Sequence, residues 1–191
     1  MEAIDLLLTR RSAKAALIEE PGPDPDQLKT LLTAGIRVPD HGKLYPWRIQ
    51  VLDKEAQRQL GEICAELFQS DHPNASAEQI EVEKLRPCHA PTLLVVTNRI
   101  TPNHKIPESE QVLSGGAMCQ NLLNASHALG FFGLWLTEWP TYDARVSEAL
   151  GHPPDADTIG WIYIGSASEA PTERRRAALE DVVTYWPGDR S

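Results

Sequence analysis

Residues 108–137 read ESEQVLSGGAMCQNLLNASHALGFFGLWLT, and the order of elements in this stretch sets the architecture. From Glu108 to Leu129 the spacing predicts the longest helix of the chain, with Val112, Leu113, Met118, Leu122, Leu123 and Leu129 as its large apolar residues. Gly115, Gly116, Ala117, Ala125, Ser126 and Ala128 keep other parts of that helix thin. A glycine in a helix interior costs about 1 kcal/mol relative to alanine, so close approach of another backbone is the expected compensation. The reading is a central helix packed on several sides, with a dimer contact among the candidates. After Gly130 the pattern changes, and Phe131 to Leu136 reads as a strand.

Outward from this core, Ala90 to Thr97 is an apolar, β-branched run suited to a buried strand. Upstream, Lys54 to Gln69 has helical spacing through Leu60, Ile63, Cys64 and Leu67, and Ala77 to Leu85 forms a shorter helix. Arg48 to Leu52 alternates as a strand. A helix with the stripe Leu28, Leu31, Leu32 and Ile36 starts at Asp24-Pro25, an N-cap followed by proline at the first helical position, and Pro39 is expected to end it. Residues 2 to 9 form a first short helix that runs into Arg10-Arg11-Ser12. Between Val38 and Trp47 lies a proline-bounded polar loop, open to a ligand. Downstream, Asp143 to Leu150 reads as a helix and Ile159 to Ile164 as a strand, and beyond Gly165 a polar arm carries late apolar residues that must pack somewhere. No repeat or linker interrupts the chain, so residues 1–191 are expected to form one domain with 165–191 as its arm.

Composition excludes several function classes. With 191 residues, 41% of them hydrophobic, the chain can hold a core without metals or disulfides. Its net charge of −9 opposes general binding to nucleic acid or anionic lipid. Its apolar runs, such as Leu93 to Val96, fall far short of the roughly 18 residues of a membrane span. The acidic start Met1-Glu2-Ala3-Ile4-Asp5 does not look like a signal peptide, and Cys64, Cys88 and Cys119 are an odd set without paired spacing. A cytoplasmic protein with reduced, mostly buried thiols is expected.

Charge is unevenly distributed, however. Two arginine clusters, Arg10-Arg11 and Arg174-Arg175-Arg176, lie near the chain ends. A planar guanidinium recognises phosphate or carboxylate bidentately, whereas most charge runs simply face water. Other chemistries have little support. Cys88-His89 lacks a second ligand pair for zinc, Ser114 lacks the leading glycine of a nucleophile elbow, and Gly130-Phe131-Phe132-Gly133 is not a dinucleotide fingerprint.

The order of the remaining motifs is more informative than any one of them. Leu6-Leu7-Leu8-Thr9-Arg10-Arg11-Ser12 comes first, followed by Ala34-Gly35-Ile36-Arg37-Val38-Pro39-Asp40-His41 before Pro46-Trp47. Residues 120–131, QNLLNASHALGF, then lead to Gly133-Leu134-Trp135, and Leu179-Glu180-Asp181-Val182-Val183 ends the arm. In these four pieces, in this order, the sequence resembles the FMN-dependent nitroreductase family, particularly its small NAD(P)H nitroreductase subgroup.

The resemblance implies an α+β sandwich with a mainly antiparallel central sheet flanked by helices. It also implies a homodimer whose C-terminal arms reach over the partner, with FMN at the subunit interface. By the family pattern, Arg10, Arg11 and Ser12 would hold the FMN phosphate or ribityl chain, with Lys14 near the flavin. Arg37 and His41 would contact the flavin from the other subunit, and Trp135, Leu136 and Thr137 would lie along the ring. Arg174 and Arg176 resemble a phosphate-binding pair of larger members. The implied activity is transfer of hydride from NAD(P)H, through flavin N5, to a small electron acceptor such as a nitroaromatic or quinone. The flavin carries the chemistry, so no side chain is assigned as catalytic and no metal is required. A non-catalytic flavin carrier or sensor, or a related enzyme such as a dehalogenase, would share the same residues.

Overall fold

The architecture is built around one antiparallel sheet whose middle strand has partners on both edges. The computed structural model describes residues 2–186, so the last five residues of the expected arm lie outside the described residues. In chain order the elements are α1 (Ala3–Thr9), β1 (Ile18–Glu19), α2 (Pro25–Gly35), β2 (Trp47–Leu52), α3 (Lys54–Asp71), α4 (Ala77–Leu85), β3 (Thr92–Asn98) and α5 (Glu108–Ala128). There follow β4 (Phe132–Leu136), α6 (Trp139–Tyr142), α7 (Ala144–Ala149), β5 (Asp157–Ala167) and α8 (Leu179–Val182). Strand β5 pairs with β3, β4 and the two-residue β1, and β3 pairs in turn with β2, all antiparallel. Helices and an antiparallel sheet thus make the α+β fold expected from the sequence.

Side chains alternate across the pleat and divide the core into two layers. Leu93 and Val95 of β3 join Trp161 and Tyr163 of β5 against Leu60 and Cys64 of α3. The alternate residues Leu94, Val96, Ile162 and Ile164 meet Leu31 of α2 and Met118, Cys119, Leu122 and Leu123 of α5. Strand β4 obeys the same rule, since Leu134 and Leu136 face the α3 layer and Trp135 the α5 layer. Both thiols within these layers, Cys64 and Cys119, are pushed up to about 12 by burial.

Several boundaries differ from the sequence reading, each for a local reason. Helix α2 begins as expected, with Asp24 and Gln27 forming a reciprocal capping box, but it stops at Gly35 and not at Pro39. Its last carbonyls are taken over by α5, because the Asn121 amide donates to Ala34 O at 2.6 Å and to Arg37 O at 3.4 Å. Strand β5 runs from Asp157 to Ala167, well beyond Ile159–Ile164, because pairing with β3 and β1 extends it through polar residues. Opposite Val96 and Thr97 the register shifts, and Ile159 is the extra residue of a bulge. The turn α6 and the short β1 carry no period of their own and were not expected. Gly115 does meet close neighbours, but they are the side chains of Ile159 and Asn98 and not another backbone, while Gly116 has open space.

Candidate functional site

Strand β4 orders the site, because the two groups of candidate residues sit at its opposite ends. From Phe132 to Leu136 it spans about 13 Å at roughly 3.3 Å per residue. Helix α5 leads into its start, and the positive φ of Gly130 (89°) allows the tight reversal between the two elements.

At this end, Arg10 closes helix α1, donating its backbone N–H to Leu6 O at 2.8 Å. The following backbone is tied to α5, with His127 Nε2 lying 2.7 Å from Arg11 O and Nδ1 lying 2.9 Å from Leu123 O. A neutral imidazole has one N–H and can donate to only one of these carbonyls. Burial lowers the His127 pKa, outweighing the pull of both carbonyls, so the ring is held neutral. Arg10, Arg11, His127, Phe131, Phe132 and Pro171 line a cavity of about 330 Å³.

The arm completes this end. Arg11 Nε donates to Thr172 O at 3.1 Å and lies 3.4 Å from Glu173 Oε1, an oxygen that is also 3.4 Å from an Arg176 guanidinium nitrogen. Burial lowers the Arg10 pKa, and the charges of Arg176 and Arg11 lower it further. Arg11 and Arg176 therefore share one carboxylate with Arg10 close by, which leaves the cluster with excess positive charge. Of the basic pair in the arm, Arg176 is brought into this cluster. Ser12 is half-buried beside it, and Lys14 is exposed.

At the far end of β4, Trp135 lies on Gly160, where a Cβ would come within 2.3 Å of the indole nitrogen, and that nitrogen donates to Ile159 O at 3.2 Å. Leu136 packs into the α3 layer and Thr137 emerges exposed. The next residues are gripped from α4 and the turn after it. Arg86 gives Nε to Glu83 Oε2 at 2.6 Å and a terminal nitrogen to Glu83 Oε1 at 2.7 Å, and its other terminal nitrogen donates to Glu138. Glu83 Oε2 also accepts the Trp139 indole N–H at 2.7 Å. Burial opposes ionisation of Glu83, but the bonds from Arg86 and Trp139 outweigh it and hold the carboxyl below its ordinary range. None of these four residues stood out in the sequence. The separation of Glu83 and Arg86 by three residues signals an ion pair, but nothing local points to Glu138 or Trp139, more than fifty residues away.

Arg37 and His41 are not brought to either end of β4. Arg37 is exposed just beyond α2, and His41 Nδ1 lies 2.7 Å from Glu110 Oε2 in the first turn of α5. His127, which touches Arg11, lies in the last turn of the same helix. At 1.5 Å rise per residue, Glu110 and His127 are about 26 Å apart along the axis. His41 and Arg11 thus lie near opposite ends of α5.

Residues 7–166 match the Nitroreductase family. The chain is 32% identical over 189 residues to an Escherichia coli K12 protein named "Putative NAD(P)H nitroreductase YdjA", covering 97% of this chain and all of that one. Identity is also 32%, over 187 residues, to a Haemophilus influenzae protein whose name carries the same activity, with 97% and 100% coverage. Among solved structures, a nitroreductase-like family protein from Bacillus cereus superposes with a TM-score of 0.85 at 20% identity, covering 98% of this chain and 97% of that one. A Bacteroides fragilis nitroreductase with bound FMN superposes with a TM-score of 0.70 at 19% identity, covering 97% and 98%.

Proposed function

This chain belongs to the nitroreductase family, and from that premise we propose that it is an FMN-dependent NAD(P)H oxidoreductase working as a homodimer. The observation that carries this reading is the cluster of Arg10, Arg11 and Arg176 at the start of β4, with the single carboxylate of Glu173 between Arg11 and Arg176. A dianionic phosphate supplies the charge this cluster lacks, and charge-assisted bonds to guanidinium are among the strongest available to it. Bound there, FMN supplies hydride-transfer chemistry between NAD(P)H and an oxidised acceptor such as a nitroaromatic or quinone.

The residues divide the remaining work. Arg10, Arg11 and Ser12 hold the phosphate and ribityl end, and Arg176 of the arm closes over it. Trp135, Leu136 and Thr137 flank the ring end, with Thr137 exposed. Arg37 and His41 reach this site from a second copy, which resolves their distance from Arg10 within one chain. Apolar residues exposed on the single chain support that assembly: Leu7 and Leu8 on α1, Leu113 on α5, and Leu179, Tyr185 and Trp186 on the arm, the last of them 96% exposed. Large apolar side chains left this exposed are candidates for burial in an interface.

The purified protein should be yellow and should retain FMN through gel filtration at the mass of a dimer. It should oxidise NADH or NADPH in the presence of a nitroaromatic or quinone, with the reduced product identified by chromatography. Colourless protein that cannot be reconstituted with FMN overturns the assignment. Bound flavin that NAD(P)H fails to reduce in stopped flow makes the protein a flavin carrier or sensor instead.

A further inference from the structure

Arg86 and Glu83 stand apart from every residue assigned so far, yet they hold both residues that follow Thr137. The Arg86 side chain is 16% exposed and that of Glu83 9%, and each arm of the guanidinium is engaged. Glu83 takes the Trp139 indole N–H, Glu138 takes the third arm of Arg86, and the Tyr163 hydroxyl of β5 donates to Arg86 O at 3.1 Å. The Glu138 carbonyl accepts twice from Thr141, from its hydroxyl at 2.7 Å and from its N–H at 3.0 Å. On the other side, Leu136 is paired with Trp161 in the sheet. Thr137 is thus an exposed residue whose backbone is fixed from both directions.

A buried ion pair is a poor means of gaining stability, because desolvation offsets most of the attraction and a well-packed apolar pair often does as well. What a fully bonded network does provide is a fixed geometry. We propose that Arg86 and Glu83 are positioning residues for the redox site, clamping Glu138 and Trp139 so that the backbone at Leu136–Glu138 is preset to meet the flavin ring. This inference rests on the functional reading above, and its tests are chosen to separate the two.

The variants are Arg86→Lys, which keeps the charge and loses the fork, and the milder Trp139→Phe, which removes one hydrogen bond. Leu31→Ala, a cavity in the α2–α5 layer on the opposite face of the sheet from the clamp, serves as the destabilised control. In protein prepared without cofactor, hydrogen exchange should speed up across residues 136–139 in both clamp variants, with residues 10–12 and the control unchanged there. In the loaded protein, FMN should remain bound through the arginine cluster. Sulfite affinity, which reports on the flavin N5 environment, should fall, and kcat should drop by up to about a hundredfold, the scale on which a 1 Å displacement at a reacting centre is felt. KM for NAD(P)H should change little. If both clamp variants match the control in exchange and in sulfite affinity, the pair is only a structural brace and the inference fails while the functional reading stands. Wild-type protein that binds no FMN overturns both.

Discussion

The two ends of β4 use the same side chain in opposite ways. At the far end, Arg86 is held by two carboxylates, every arm bonded, and its pKa is raised by Glu83 despite burial. At the near end, Arg11 and Arg176 share one exposed carboxylate beside Arg10, whose pKa is lowered. An arginine whose charge is already answered inside the protein belongs to the framework. A cluster whose charge is not answered has capacity left for a ligand. Arginine content alone does not separate the two, but the balance of partners does.

Breaking the framework end should give the largest effect. Arg86→Ala leaves Glu83 as an unpaired buried charge and should cost about 3–5 kcal/mol, measured by urea denaturation of cofactor-free protein. The near end should respond in the reverse pattern. Arg10→Ala should leave cofactor-free stability unchanged or slightly higher, since like-charge repulsion is relieved. Its FMN binding, followed by quenching of flavin fluorescence, should weaken by about 1.5–3 kcal/mol, the worth of a charged hydrogen bond. Loss of stability in Arg10→Ala without loss of FMN affinity would erase the distinction between the ends.

Acid should affect His127 and Glu83 at different pH. Burial lowers the folded-state pKa of His127 below its ordinary 6.5, so its contribution is complete above that value and declines as the pH falls through the folded pKa. Glu83 is also lowered, from an ordinary 4.5, and its contribution is lost only as the pH falls below that value. Thermal melts should therefore show a first decline beginning near pH 6.5, reduced in His127→Asn, and a second below pH 4.5, reduced in Glu83→Gln. The smallest effect expected is that of Glu173→Gln. Removing the one carboxylate of the cluster should tighten FMN binding by about 0.2–1 kcal/mol, the worth of an exposed ion pair, and titration calorimetry can detect it.

The comparison also explains which parts of the molecule the sequence made legible. Helices α3, α4 and α5 are legible because their periods are local, and the start of α2 because Asp24 and Pro25 are neighbours in the chain. The end of α2 was misplaced because its cap, Asn121, comes from another element. Strand β5 was shortened because Asp157, Thr158 and Ser166 are polar, and only their pairing reveals them as strand. The arginine motif before Ser12 could be read, but its meeting with Arg176 depends on where the arm folds. The clamp on Glu138 and Trp139 was hidden for the same reason. Its members lie more than fifty residues apart, and each has an ordinary local explanation.

The length of α5 has one more consequence. It keeps His41 and Arg11 near opposite ends of a rod about 26 Å apart, so in the proposed dimer each site draws these two functions from different chains. Two defective alleles, Arg10→Ala and His41→Ala, then complement one another. In a mixed dimer one site inherits both lesions and the other inherits neither, so co-expression of two impaired proteins yields a heterodimer with one intact site.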